Sequence, residues 1–200
     1  MNQAVDRTTP TQVGLAGLGA MGQGVALNLI KKGHALMGFD VNPKALDWLA
    51  AQGGTPGINL KEQAAKLDVL ICFVVNAKQT EEVLFGPQGA VAGLKPGALV
   101  ITCSTMPPDY VRDLGQRLHE RGLGLVDAPV TGGPQGAESG KLIIMVGGDS
   151  NVFEGARGVL SIMGETLIHY GAAGQGQRAK LVNQTVGMLN MISAIEGLFF

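Results

Sequence analysis

Three glycines near the start of the chain lie between an apolar run and a helical pattern, in the order Gly17-Leu18-Gly19-Ala20-Met21-Gly22. The run at 12–17 is typical of a strand, and apolar residues recur at helical spacing after the glycines. In such a unit the first glycine permits a tight turn, the second admits a pyrophosphate and the third lets the helix pack on the strand. The phosphates then face the amide groups of the helix N-terminus. The motif therefore predicts a dinucleotide-binding unit that opens a Rossmann-type fold.

An acidic residue ends the second apolar run, at 35–40. Asp40 follows the glycine motif by about 20 residues, the position at which a carboxylate accepts hydrogen bonds from the adenosine ribose. The next residue is Val41, so no arginine stands there to receive a 2′-phosphate. This pattern favours NAD over NADP. It disfavours the alternative in which the glycine turn only packs against its helix.

Apolar runs and amphipathic stretches alternate along the rest of the chain. Further strands are predicted at 69–75, 98–105, 124–130, 142–148 and 166–171, with helices between them. This alternation predicts an α/β fold with a doubly wound, mostly parallel sheet and helices on both faces. The NAD-binding domain is expected to span 12–174, after a flexible tail at 1–11. A long apolar helix pattern occupies 175–200.

Composition excludes several other classes of protein. Lys+Arg 15 against Asp+Glu 16 gives a net charge of −1, which argues against a nucleic-acid or polybasic membrane surface. The apolar runs fall short of the roughly 20 residues of a membrane span, and the first residues lack a signal peptide. Cys72 and Cys103 lie in strand-like runs and predict buried thiols of a cytoplasmic protein. The three histidines are far apart in the sequence, so no metal site is predicted.

Three segments with ligand-binding chemistry fall at predicted strand ends. They are Val74-Val75-Asn76, Cys103-Ser104-Thr105 and Asp127-Ala128-Pro129-Val130-Thr131-Gly132-Gly133. The ligand crevice of a doubly wound sheet lies at those carboxyl ends, and hydroxyls with bare glycine amides suit a substrate carboxylate. The alternative for each segment is ordinary turn and capping chemistry. Both interpretations stay open on these residues alone.

Lys180 lies in the first turns of the C-terminal helix pattern. The helix dipole and burial would both lower the pKa of a lysine there, which suits proton transfer. Gln184 follows at i+4 and shares its helix face. The alternative is a solvated surface lysine.

Together these segments resemble the β-hydroxyacid dehydrogenase family, which includes 3-hydroxyisobutyrate dehydrogenase, tartronate semialdehyde reductase and L-threonate dehydrogenase. The resemblance covers 12–200 and rests on GLGAMGQGVALNL, DVNP, CST, DAPVTGGPQGAESGKL, MVGGD and GAAGQGQRAKLVNQ. The stretch VVNAKQTEEVLFGPQG is most similar to the L-threonate dehydrogenase branch. The resemblance implies NAD-dependent oxidation of a 3-hydroxy acid or small sugar acid. It leaves open a tartronate semialdehyde reductase-type activity, and the fold alone leaves open a non-catalytic NAD-binding module.

The resemblance also implies roles for individual residues. Those implied at the substrate are the acid/base Lys180, the carboxylate-binding Thr131, Gly132 and Gly133, and the neighbouring Asn183 and Gln184. Those implied at the cofactor are Gly17, Leu18, Gly19, Ala20, Met21, Gly22, Asp40, Val74, Val75, Asn76, Gln79, Ser104 and Thr105. Thr102 departs from the family pattern, because several relatives carry Asp there. The family further implies that the helix at 175–200 leads into an all-helical C-terminal domain, which is absent from this sequence, and that this region mediates homo-oligomerisation.

Overall fold

The computed structural model describes residues 11–200. The predicted flexible tail therefore lies outside the described residues except for Thr11, which is buried. The backbone N–H of Thr11 donates to Nδ1 of His34 at 3.4 Å. The last residue of the predicted tail thus already packs within the fold.

Six strands form one parallel sheet, in the order β3-β2-β1-β4-β5-β6. These strands are β1 (Gln12–Ala16), β2 (Ala35–Phe39), β3 (Thr55–Pro56), β4 (Val69–Cys72), β5 (Leu99–Thr102) and β6 (Gly124–Asp127). The helices along this part of the chain are α1 (Ala20–Lys31), α2 (Pro43–Ala51), α3 (Leu60–Gln63), α4 (Ala77–Phe85) and α5 (Pro108–His119). The predicted doubly wound sheet is confirmed, and the two-residue strand β3 is an addition to it.

A second, three-stranded sheet follows, in the order β7-β8-β9. Its strands are β7 (Val130–Thr131), β8 (Ile143–Val146) and β9 (Thr166–His169), and its helices are α6 (Gly133–Ser139) and α7 (Ser150–Met163). Strand β7 runs antiparallel to β8, and β8 runs parallel to β9. The sequence did not indicate that these strands leave the first sheet.

The predicted strand at 124–130 is wrong as one element, because it is divided between the two sheets. The N–H of Ala128 makes the last bond to the first sheet, to the carbonyl of Thr102 at 2.8 Å. Pro129 has no N–H and cannot continue that ladder. Its carbonyl instead accepts from the N–H of Met145 at 2.9 Å, which starts the second sheet.

Side-chain caps begin two of the predicted helices. Asn42 accepts from the N–H of Lys44 at 3.1 Å and caps α2. Asn59 accepts from the N–H of Glu62 at 3.3 Å, but the reciprocal bond comes from another residue. Gln63 Oε1 accepts from the N–H of Asn59 at 3.1 Å. Asn59 and Gln63 thus form a reciprocal cap resembling a capping box, and the helix continues as a 3₁₀ turn at Ala64–Lys66.

Two helices, α1 and α6, meet with almost no space between their backbones. A Cβ atom added at Gly24 would lie 2.6 Å from the backbone nitrogen of Glu138. One turn later, Asn28 Nδ2 donates to the carbonyl of Ala137 at 2.8 Å. Only a glycine permits this approach, and the hydrogen bond from the Asn28 side chain fixes the register of the two helices.

Both cysteines are buried and unpaired, as predicted. Burial raises the pKa of Cys72 to about 12, and burial is also the main reason that the pKa of Cys103 is raised. Neither thiol forms a thiolate near neutral pH, so both act as small apolar core residues.

The last helix, α8 (Gln175–Leu198), departs from the domain surface after its first turns. Gly176 and Gln177 are buried, whereas every residue from Leu181 onward is exposed. Nine large apolar side chains of this exposed part are Leu181, Val182, Val186, Met188, Leu189, Met191, Ile192, Ile195 and Leu198. Despite this apolar content, the described residues include no helix with the length and hydropathy needed to cross a membrane.

Candidate active site

The glycine loop at the end of β1 has the shape expected of a phosphate cradle. Gly17 has a φ of +100°, and a Cβ there would collide with the carbonyl oxygen of Phe73. A Cβ at Gly22 would collide with the carbonyl oxygen of Gly17. At Gly19, in contrast, a Cβ would meet nothing within 4 Å, so the space above the loop is open. The first and third glycines are thus required by the protein itself, and the second faces space for a ligand.

The start of α1 offers backbone donors to that space. The first-turn amides of an α-helix have no partner within the helix, and Gly19 has no side chain with which to cap them. These amides belong to Ala20, Met21 and Gly22, at the positive end of the helix dipole. The loop and the helix start therefore fit the pyrophosphate of a dinucleotide.

Asp40 lies beside this loop, at the end of β2. Its Oδ2 accepts from the N–H of Leu18 at 2.7 Å, and its Oδ1 accepts from the N–H of Asn42 at 2.8 Å. Each oxygen keeps acceptor capacity for a ligand hydroxyl. The side chain of Leu18 is buried in the core, so the contribution of Leu18 is to orient Asp40 through its amide.

The ends of β4 and β5 are tied to one another by Ser104. This buried hydroxyl donates to the carbonyl of Val74 at 2.7 Å and lies 3.2 Å from Oγ1 of Thr80. Ser104 thus fixes the loop after β4, while Thr105 beside it is exposed. Thr102, the position at which the family pattern departs, has a buried Oγ1 without a hydrogen-bond partner among the described residues.

Asn76 and Gln79 make the capping contacts that were the alternative for this segment. Asn76 Oδ1 accepts from the N–H of Gln79 at 3.0 Å, and Gln79 Oε1 accepts from the N–H of Val75 at 2.8 Å. The reciprocal pair begins α4 and leaves the Val75 side chain exposed on the surface. The capping interpretation is confirmed here, and a cofactor role stays a prediction.

The predicted acid/base lysine lies against the predicted carboxylate loop. Lys180 Nζ donates to the carbonyl of Val130 at 2.7 Å, directly before Thr131, Gly132 and Gly133. The lysine is half-buried, and burial lowers the pKa of its amine. Gly132 and Gly133 have positive φ values of 128° and 62°, a backbone path that side-chain-bearing residues rarely adopt. The arrangement brings the Lys180 amine next to bare backbone.

The other two predicted substrate residues lie further along α8. Asn183 and Thr131 both line a groove with a cavity volume of ≈ 540 Å³ between α8 and the second sheet. Its other walls include Met145, Tyr170 and Arg178. Gln184 is exposed and does not line this groove.

Two buried polar residues lie at the base of the site, Asp127 and Gln177. The sequence placed Asp127 in a strand-end segment but predicted no role for either residue. Asp127 Oδ2 accepts from the N–H groups of Gly174 and Gln177, at 3.1 Å each. Its Oδ1 accepts from Gln177 Nε2 at 2.7 Å. Burial raises the pKa of Asp127 to about 6, although these hydrogen bonds oppose the shift. The available signal was a carboxylate at the end of an apolar strand.

No cluster of three or more His, Cys, Asp or Glu residues suited to a metal ion occurs in the part of the chain that the structure describes. Above the buried Asp127 and Gln177, the site offers a ligand backbone amides, hydroxyls, one lysine and the Asp40 carboxylate. These groups fit a dinucleotide and a small anionic partner.

The fold, the open glycine loop and Asp40 together define an NAD-binding Rossmann domain. The family model described as the NAD binding domain of 6-phosphogluconate dehydrogenase matches residues 12–171, and the chain belongs to this family.

Named relatives agree with this assignment. The chain is 40% identical to L-threonate dehydrogenase of Cupriavidus necator over 187 residues, covering 93% of this chain and 63% of the relative. It is 37% identical to NAD-dependent L-serine dehydrogenase of Pseudomonas aeruginosa, covering 94% and 63%. A solved 3-hydroxyisobutyrate dehydrogenase of Mycobacterium tuberculosis with L-serine aligns with a TM-score of 0.88 and 34% identity, covering 94% and 64%. The chain thus spans less than two thirds of the length of these proteins.

Proposed function

We propose that the protein containing this chain is an NAD-dependent dehydrogenase of a 3-hydroxy acid or small sugar acid. The observation that carries the proposal is the contact between Lys180 Nζ and the Val130 carbonyl, beside the bare backbone of Gly132 and Gly133. Relatives named as L-threonate, L-serine and 3-hydroxyisobutyrate dehydrogenases support the substrate class. A tartronate semialdehyde reductase-type activity is the same chemistry in the opposite direction.

In the proposed reaction, Lys180 is the acid/base. As a neutral amine it takes the proton of the reacting hydroxyl, and the carbon loses a hydride to give a carbonyl. Bound NAD⁺ supplies the hydride acceptor. In the reverse direction the ammonium of Lys180 returns the proton and stabilises negative charge on the carbonyl oxygen.

The remaining residues are proposed to hold the substrate and to orient the Lys180 amine. The amides of Gly132 and Gly133, with the Thr131 hydroxyl, are proposed to bind the substrate carboxylate. Asn183 and Gln184 are proposed to contact its hydroxyls. The Val130 carbonyl keeps one Nζ hydrogen occupied, which leaves the amine directed by a fixed hydrogen bond rather than free to rotate.

The direct test is a turnover screen of the intact protein with NAD⁺ against L-threonate, 3-hydroxyisobutyrate, D-glycerate and L-serine. NADH formation on one or more of these acids is expected. NAD binding by calorimetry without turnover on any of them would contradict the proposal and favour a non-catalytic NAD-binding module.

We further propose that 12–174 is the NAD-binding domain and that 175–200 is an interdomain helix in a cytoplasmic homo-oligomer. Burial in α8 limited to Gly176 and Gln177, with an apolar surface beyond Lys180, supports the helix assignment. An apolar surface of this extent is typical of a protein contact. Light scattering of the intact protein tests the assembly, and a monomeric mass would contradict it.

A further inference from the structure

We propose that Asp127 and Gln177 are positioning residues that set the start of α8 and thereby place Lys180 against the Val130 loop. The inference rests on the proposed function, because it takes Lys180 as the acid/base. Neither residue is proposed to touch substrate or cofactor.

Asp127 joins the substrate loop to the catalytic helix. Its backbone N–H and carbonyl pair with Gly147 at 2.8 and 2.7 Å, which fixes the chain three residues before Val130. Its carboxylate receives the N–H groups of Gly174 and Gln177, which begin α8. One residue therefore sets both ends of the hydrogen bond between Lys180 and Val130.

Gln177 adds the third segment, the turn after β5. Its Nε2 donates to the carbonyl of Ser104 at 2.9 Å as well as to Asp127, and its Oε1 accepts from the N–H of Met106 at 2.9 Å. Exchanging the oxygen and nitrogen of this amide would set Nε2 against the Met106 N–H and Oε1 against the Ser104 carbonyl and the Asp127 carboxylate, so only one orientation is satisfied. Gln177 is fully buried, and Lys180 follows at i+3 on the same helix face.

The chemistry of the pair favours positioning over plain stability. A buried carboxylate carries a desolvation cost that well-packed apolar residues of similar volume do not. Hydrogen bonds with fixed donors and acceptors specify one arrangement of three segments, whereas apolar packing permits small shifts. The negative charge also lies at the positive end of α8, where it stabilises that helix start.

Gln177→Met tests the inference in the intact protein, because it keeps the length of the side chain and removes its three side-chain hydrogen bonds with no change of charge. We expect kcat to fall about 10²-fold, the cost of a small misplacement of a catalytic group. The dissociation constant for NAD should stay within about twofold. In the oxidation direction activity rises with pH as Lys180 loses its proton, and this limb should move to higher pH, because a displaced Lys180 regains water and its ordinary pKa. Gln116→Met, on the exposed face of α5, is the matched control and should behave as wild type.

Asp127→Asn is the second variant, nearly identical in volume, and it applies if Gln177→Met does not fold. Both oxygens of Asp127 accept hydrogen bonds, so the NH₂ group of an asparagine must face either Nε2 of Gln177 or the backbone N–H groups of α8, donor against donor. The same fall in kcat with unchanged NAD binding is therefore expected. Wild-type kcat and pH limb in a folded variant would overturn the inference. Should Lys180→Ala retain turnover, the proposed function fails instead, so the two failures are distinguishable.

Discussion

Lys180 Nζ, on the second turn of α8, lies 2.7 Å from the carbonyl oxygen of Val130, on the first residue of β7. This bond can be donated by the ammonium and by the neutral amine alike. The lysine is therefore held in one place through both halves of a proton-transfer cycle, and burial favours its neutral form.

Removing the amine should abolish turnover and leave cofactor binding intact. In Lys180→Ala we expect kcat to fall 10²–10⁴-fold, the usual contribution of general acid–base catalysis. Steady-state kinetics and calorimetry with NAD⁺ measure the two effects separately. Lys180→Arg keeps the positive charge but cannot lose its proton, so it should be equally inactive. Substantial turnover in the arginine variant would show that charge alone suffices and that Lys180 is not the base.

Asp40 should determine the choice between the two dinucleotides. The wild-type protein is expected to have the higher kcat/KM with NAD⁺, because the carboxylate repels a 2′-phosphate. Asp40→Asn keeps an acceptor for the Leu18 amide, which Asp40 Oδ2 now binds at 2.7 Å, and removes the charge. Its ratio of kcat/KM values should shift toward NADP⁺. A wild-type preference for NADP⁺ would refute the ribose argument.

The buried carboxylate of Asp127 should make stability depend on pH. Its pKa is raised by burial from 3.8 to about 6, so the folded state binds a proton that the unfolded state has already lost. Its contribution to the free energy of unfolding is thus fully favourable below pH 4 and declines as pH rises to about 6. The decline is about 3 kcal/mol at 1.36 kcal/mol per pKa unit. Urea denaturation of wild type and Asp127→Asn at several pH values isolates this term, and parallel pH curves would contradict it.

The close approach of α1 and α6 predicts opposite effects of one substitution at two glycines. Gly24→Ala should lower the free energy of unfolding by about 1–3 kcal/mol, because its Cβ would meet the backbone of Glu138 at 2.6 Å. Gly187→Ala, on α8, is the matched control, since a Cβ at Gly187 would meet no neighbouring atom within 4 Å. Alanine should stabilise that exposed helix position by about 0.5–1 kcal/mol. Denaturation curves compare the two, and equal effects would exclude the packing explanation.

Local patterns predicted the elements whose causes are local. The glycine motif and the buried strands depend on residues next to one another in the sequence, and the structure has them as expected. The second sheet was not predicted, since it depends on Pro129 ending one ladder and on a distant partner, Met145, beginning another.

The base of the site was missed for the same reason. Asp127 and Gln177 are 50 residues apart in the sequence, and nothing in the spacing of either residue points to the other. Ser104 shows the reverse case, because its hydroxyl looked available at a strand end and is instead used to hold the Val74 carbonyl. Where a polar group is directed depends on the packed fold, which short-range pattern does not encode.

The contact of α1 with α6 has a consequence for selectivity. The phosphate loop precedes α1, and the Thr131–Gly133 loop precedes α6. Because the two helices are packed backbone to backbone, the two loops are held at a fixed distance from each other. In the proposed complex, the distance from pyrophosphate to substrate carboxylate is then set by backbone and cannot stretch to suit a longer acid. Discrimination among acids of different chain length therefore falls to the side of the crevice formed by α8.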